Sequence, residues 1–170
     1  MPFSIIAAHE RNRGIGLKGN IPWYIKKDFQ WFKEQTKGKI VLMGLTTYFS
    51  LPNRFRPLPD RENLVLCDIP DKIKTIEDEG GAVFSSIKQA TEYCKDKDCF
   101  IIGGASVYSQ FIGIADKLFL TEINYDFTCD TFFPYFNKDE WDRTFKSEMM
   151  IDETLLLPYT FNIYERKKNS

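Results

Sequence analysis

Apolar residues fall into short runs along this chain, separated by segments of helical spacing and by turns rich in glycine, proline and polar residues. Phe3–His9 (FSIIAAH), 39–43 (KIVLM), 63–67 (NLVLC), 82–85, 99–102 (CFII) and 118–123 (LFLTEI) are predicted strands, the most apolar of them buried on both faces. Helices are predicted over 24–35, over Leu45–Ser50, from Ser86 onward and over 105–112. Ser86 with Gln89 three positions later reads as a capping box. The late strands, 143–150 and 159–165, have no helix between them. In the second, Tyr159, Phe161 and Ile163 alternate with Thr160, Asn162 and Tyr164, which predicts one buried and one wet face. Strands alternating with helices and then a closing hairpin predict an α/β fold with a mostly parallel sheet and an antiparallel C-terminal end. No repeat or linker interrupts the pattern, so 1–170 is expected to form one domain.

Composition excludes several function classes. The 23 basic and 24 acidic residues leave a net charge of -1, with no basic patch for nucleic acid. No apolar run approaches the roughly 20 residues of a membrane span. The N-terminus, MPFSIIAAHERNRG, lacks the charged and long apolar regions of a secretion signal, so a cytoplasmic location is expected. The four cysteines, Cys67, Cys94, Cys99 and Cys129, form no C-x-x-C pair and are expected to be reduced thiols, mostly buried. His9 is the single histidine and follows an apolar run, which suits a strand end better than a catalytic base. A histidine-based zinc site or a Ser-His-Asp triad would have to rest on it alone.

Candidate chemistry centres on residues 21–32, IPWYIKKDFQWF. Asp28 sits there among Phe29, Trp31 and Phe32, and at i+4 it shares a helix face with Phe32. It is either solvated beside Lys26 and Lys27, or a carboxylate at the edge of an apolar slot that takes a flat, nitrogen-rich ring. The preceding loop matches G-x-G-x-x-G at Gly14, Gly16 and Gly19, but Ile21-Pro22 follows where a dinucleotide fingerprint needs a helix. It is expected to be a flexible lid instead. Gly44 before Leu45–Ser50 suits a phosphate, with Thr46 and Thr47 as hydroxyl donors. Arg56-Pro57-Leu58-Pro59-Asp60-Arg61 is a stiff turn whose arginines either grip an anion or lie in solvent. Gly103-Gly104 removes both Cβ atoms between a strand and a helix, where a ligand could touch backbone.

These residues resemble dihydrofolate reductase over nearly the whole chain. The resemblance is carried by Ile6-Ala7-Ala8, Gly14-Ile15-Gly16, Ile21-Pro22-Trp23, Asp28, Phe32, Met43-Gly44 and Arg56-Pro57-Leu58-Pro59-x-Arg61-x-Asn63. It continues through Ile102-Gly103-Gly104, Val107-Tyr108, Leu120-Thr121 and Asp130-Thr131-x-Phe133-Pro134. It implies a single-domain, three-layer fold with helices on both faces of the sheet. It also implies reduction of dihydrofolate to tetrahydrofolate, with NADPH as cofactor and NADH as an alternative. A monomer is expected, with no metal and no nucleic-acid or membrane partner.

By the same resemblance, Asp28, Trp23, Thr121 and Tyr108 would be catalytic. Asp28 would bind the pterin 2-amino group and N3, Thr121 would support it, and Trp23 would hold a water nearby. Ile6, Ala7, Phe29, Phe32, Leu51, Leu58 and Ile102 would line the pterin pocket, and Arg61 would hold the glutamate α-carboxylate. The cofactor would lie against Ala8, Ile15, Gly16, Asn20, Gly44, Leu45, Thr46, Thr47, Leu66, Cys67 and Asp68. Beyond the double glycine it would meet Gly103, Gly104, Ala105, Ser106, Val107, Tyr108 and Gln110. A non-proline cis peptide is expected at Gly103-Gly104. Where NADPH-preferring members carry basic or hydroxyl groups for the 2′-phosphate, this chain has Leu45, Asp68 and Ser106. Two rival functions are a riboflavin-pathway reductase of similar fold and a non-catalytic pterin- or nucleotide-binding module.

Overall fold

The computed structural model describes residues 3–168. Its strands are β1 (Phe3–His9), β2 (Gly14–Gly16), β3 (Ile40–Gly44), β4 (Glu62–Leu66), β5 (Ala82–Phe84), β6 (Cys99–Gly103), β7 (Lys117–Ile123), β8 (Thr131–Phe132), β9 (Trp141–Lys146), β10 (Met150–Ile151) and β11 (Pro158–Arg166). The helices are α1 (Lys26–Thr36), α2 (Leu45–Ser50), α3 (Pro70–Glu79), α4 (Ile87–Tyr93) and α5 (Ala105–Phe111).

The main sheet runs β5-β4-β3-β6-β1-β7-β11, with β9 and β10 both pairing the far side of β11. From β5 to β7 every pairing is parallel, and every pairing of β11 is antiparallel. Adjacent apolar residues in the central strands face opposite ways, so each strand feeds two cores. Phe3, Ile5, Leu42, Leu64 and Ile101 pack with α4 and α5 through Ala90, Val107 and Phe111. Ile6, Val41, Met43, Val65 and Phe100 pack on the other side with Trp31 and Phe32 of α1, Tyr48 of α2 and Ile76 of α3. Two-sided burial is why these strands read as continuous apolar runs, and it gives the expected three layers.

Some elements differ from the sequence reading. Helix α1 starts at Lys26 rather than at 24, because Ile25 stays extended (φ -122°, ψ 107°) and buries its side chain with Trp23 and Tyr159. Helix α3 was not anticipated: few apolar residues mark it, but Pro70 at its start and Gly80 at φ 104° after its end punctuate it. β11 has no wet face. Thr160, Asn162 and Tyr164 are buried; the Asn162 amide nitrogen donates to the carbonyls of Leu120 and Thr160 and to the Thr160 hydroxyl, while its Oδ1 has no hydrogen-bond partner among the described residues. The strand expected over 143–150 is broken after Lys146, where the Ser147 hydroxyl accepts the Phe161 N–H. The Ser86 side chain caps α4 by accepting from Gln89 N, but the Gln89 amide bonds Ser85 rather than completing the box. All four cysteines are free thiols and three are buried.

Candidate active site

The C-terminal ends of β1, β3, β4 and β6 open onto one continuous cleft of about 1280 Å³. Ligands of parallel α/β sheets bind at that edge. Every residue that the resemblance assigns to the site lines the cleft except Thr121, which is buried next to it.

Asp28 lies in the first turn of α1, where the helix dipole favours its charge. Its Oδ1 accepts from Oγ1 of Thr121 at 2.6 Å. Thr121 is on β7, in register with Ala8 of β1 and Phe161 of β11. Trp31, three residues after Asp28, stacks on Phe161 with ring centroids 4.5 Å apart and planes 9° apart. One strand therefore supplies the aromatic platform for α1 while its neighbour supplies the hydroxyl for Asp28. Burial pushes the Asp28 carboxyl up to about 6, against the opposing pull of the Thr121 hydrogen bond. The aromatic slot is thus real, and Asp28 is not a solvated helix residue.

Tyr108 is buried beside this acid and donates its hydroxyl to the Ile6 carbonyl at 2.9 Å. Burial, with Asp28 adding to it, raises the phenol far above its ordinary range. His9 lies outside the cleft. Its Nδ1 is 2.8 Å from the Glu10 carbonyl and its ring stacks on Phe133, while burial lowers its basicity.

The two arginines of the proline turn separate in role. Arg56 forks onto Glu79 of α3 through Nε (3.1 Å) and Nη2 (2.9 Å), and Glu79 also accepts from Tyr48. Arg61 turns to the cleft, with Nε on the Pro59 carbonyl, Nη1 on the Thr36 hydroxyl and its guanidinium over Phe32. The buried Asn63 holds the turn between them, accepting from Leu58 N and donating to the carbonyls of Leu58 and Arg61. Asn63 and Glu79 carry the shape of this wall, and only Asn63 had a sequence signal, as part of the quoted motif.

At the opposite wall, Gly103 has φ 124° and its peptide bond to Gly104 is cis, as the resemblance implied. A Cβ on Gly103 would come within 3.3 Å of the Tyr108 oxygen and 3.4 Å of the Thr47 oxygen. Bare backbone therefore faces the cleft here, with Thr47 beside it. Above it, Gly14–Gly16 forms a short antiparallel pair with β8 rather than opening a helix. Glu10 is buried and accepts from the N–H groups of Asn12 and Gly14. Gly14 is needed because a Cβ there would lie 2.5 Å from the Cys129 sulfur. Asp130 ties the loop down further by accepting from Lys18 N at 3.0 Å. The cleft also takes in residues that sequence reasoning did not single out, among them Tyr24, Lys33, Phe55, Ser85 and Ile87.

Fold and cleft together define an α/β protein with a ligand-binding cleft at the C-terminal ends of its parallel strands. A family profile for dihydrofolate reductase matches residues 2–166. The chain is 36% identical over 168 residues to the dihydrofolate reductase of Bacillus subtilis, covering 98% of this chain and 96% of that one. It is 37% identical over 168 residues to that of Haemophilus influenzae (98% and 100% covered), and 33% identical over 180 residues to that of the moth Heliothis virescens (96% of each). The chain belongs to the dihydrofolate reductase family, and dihydrofolate reductase activity is its activity. Among the described residues, no helix is long and apolar enough to cross a membrane and no group of side chains could hold a metal ion.

Proposed function

We propose that the cleft binds dihydrofolate and a nicotinamide dinucleotide side by side, with NADPH as the working cofactor. The observation that carries this reading is the Asp28 carboxylate, held by Thr121 at 2.6 Å in the part of the cleft lined by Trp23, Phe29 and Phe32. An acceptor-only group at that place suits the 2-amino and N3 edge of a pterin. Ile6, Ala7, Phe29, Phe32, Leu51, Leu58 and Ile102 supply apolar contact to the ring and its linker. Arg61 faces the place where the glutamate tail would leave the cleft, and its fork suits the α-carboxylate.

The cofactor half fits a dinucleotide. Bare backbone at Gly103-Gly104, the Thr46 and Thr47 hydroxyls and the length of the cleft leave room for the nicotinamide, the pyrophosphate and the adenosine in turn. When bound, the nicotinamide supplies the hydride that reduces the pterin at C6.

The chain's own residues place the ring, exclude water from one face and hold a negative charge at its far edge. No side chain of the cleft is suited to protonate N5. The Tyr108 proton is committed to the Ile6 carbonyl, and His9 points elsewhere. Water delivers that proton, Trp23 keeps it close, and the Asp28 charge raises the basicity of the ring. The enzyme is proposed to act as a cytoplasmic monomer, with 1–170 as one domain.

The test is a spectrophotometric assay with dihydrofolate and NADPH, repeated with a ribosylaminopyrimidine. Turnover of the pterin alone is expected. Turnover of the pyrimidine alone would transfer the chain to the riboflavin-pathway reaction, and binding without turnover would make it a carrier.

A further inference from the structure

The charges along the cleft are unevenly placed. Among the described residues, its only lining cations are Lys33 and Arg61, both on the pterin side, next to Phe32. The far end, beyond α2 and the end of β4, is lined by Leu45, Thr46, Asp68, Ser85, Ser86 and Ser106. Asp68 is exposed, two residues past the end of β4, and its side chain makes no hydrogen bond or ion pair among the described residues. The lysines that could compensate are turned elsewhere. Lys72 lies over the Phe49 ring at 5.0 Å, and Lys39 lies over Phe100, beyond the opposite end of β3. Neither lines the cleft, and nor does Lys74.

We propose that Asp68 is a specificity residue that narrows the enzyme's preference for NADPH over NADH. The inference rests on the dinucleotide reading of the cleft given above. A 2′-phosphate carries about -1.5 to -2 charge, and a carboxylate repels it. A ribose 2′-hydroxyl can donate to that same carboxylate, as in sheets that select NAD. A site that prefers NADPH strongly needs charge-assisted bonds to the phosphate, each worth about 10- to 150-fold in affinity. The far end of this cleft offers hydroxyls and one anion instead. The expected NADPH advantage is below about 30-fold.

Calorimetric titration of the folded enzyme with NADPH and with NADH, at low and high salt, reads this out without turnover. Their dissociation constants are expected to lie within about 30-fold of each other. Raising the salt should shift the ratio toward NADPH, because salt screens a repulsion; a cationic phosphate site shifts the other way. Asp68→Arg, with its fold confirmed by circular dichroism, should tighten NADPH at least tenfold and weaken NADH. An NADPH advantage of a thousandfold in the wild type, or an Asp68→Arg variant with unchanged NADPH affinity, would overturn the role of Asp68 and leave the reductase reading intact. Failure of both cofactors to bind would overturn the dinucleotide site itself.

Discussion

The Thr121 hydroxyl donates to the Asp28 carboxylate at 2.6 Å across 93 positions of sequence. Two opposing effects meet at this contact. Burial disfavours the charge on Asp28, and the hydrogen bond favours it; burial wins, leaving the group near 6. At neutral pH the carboxylate is still mostly ionised, as binding to the amino edge of a pterin requires.

Asp28→Asn should therefore keep the fold and lose most turnover at pH 7. Activity should partly return as the pH falls, because solvent then supplies the protonated substrate. A pH-rate profile of the variant checks this, and near wild-type turnover at neutral pH would remove Asp28 from the proposed mechanism.

Stability should move the other way. The folded-state carboxyl near 6 lies above its ordinary value of 3.8, so the native state binds this proton more tightly than the unfolded chain does. Its contribution is neutral below about pH 4, grows into a penalty between about pH 4 and 6, and is complete above that window at about 3 kcal/mol. Ligand-free Asp28→Asn should then melt about 6–12 °C above the wild type at pH 7.5, and close to it at pH 3.5. Equal melting temperatures at both pH values would show that Asp28 is not desolvated.

Arg61→Ala should weaken dihydrofolate binding by about 10- to 150-fold, and should barely affect a pterin without the glutamate tail. Asn63→Ala should have the same selectivity for an indirect reason. It strands the Leu58 N–H and two carbonyls of the turn that presents Arg61, and should also cost about 1–3 kcal/mol of stability. Titration with both ligands and a denaturation curve separate the two effects.

Asp130→Ala removes the acceptor that holds Lys18 N, and a shorter link in place of residues 18–20 removes the turn itself. Either change should slow single-turnover hydride transfer by about tenfold or more, with dihydrofolate affinity changed only slightly. Unchanged single-turnover rates would show that this loop does not gate the reaction.

The parts of the site visible in the sequence were those written in local pattern. The strand ends, the double glycine and an acid among aromatics each follow from neighbours within a turn or two. The partners of those residues were not so readable. Nothing near Thr121 points to Asp28, and only the family resemblance paired them. Arg56 looked equivalent to Arg61 until α3 brought Glu79 to it. Helix α3 itself is too polar for apolar periodicity to mark, although its proline and glycine ends were signals. The alternation in β11 was read correctly as period two. Its polar side is buried because Tyr164 packs edge-on against Phe136 in the apolar cluster that also holds Trp141, a contact far away in sequence.

The position of β11 has a consequence for how the enzyme comes into being. This strand lies between β7 and the edge strands, and it carries Phe161, on which Trp31 stacks. Translation proceeds at about 5–20 residues per second, so the 44 positions from Thr121 to Glu165 take about 2–9 s to synthesise. During that interval the first helix has been made but lacks its aromatic seat, and the hydroxyl for Asp28 sits on a strand with one neighbour missing. On a ribosome the nascent chain should therefore acquire its cofactor-side framework first. Competence to bind a pterin at Asp28 should appear only once the last strand is free to insert.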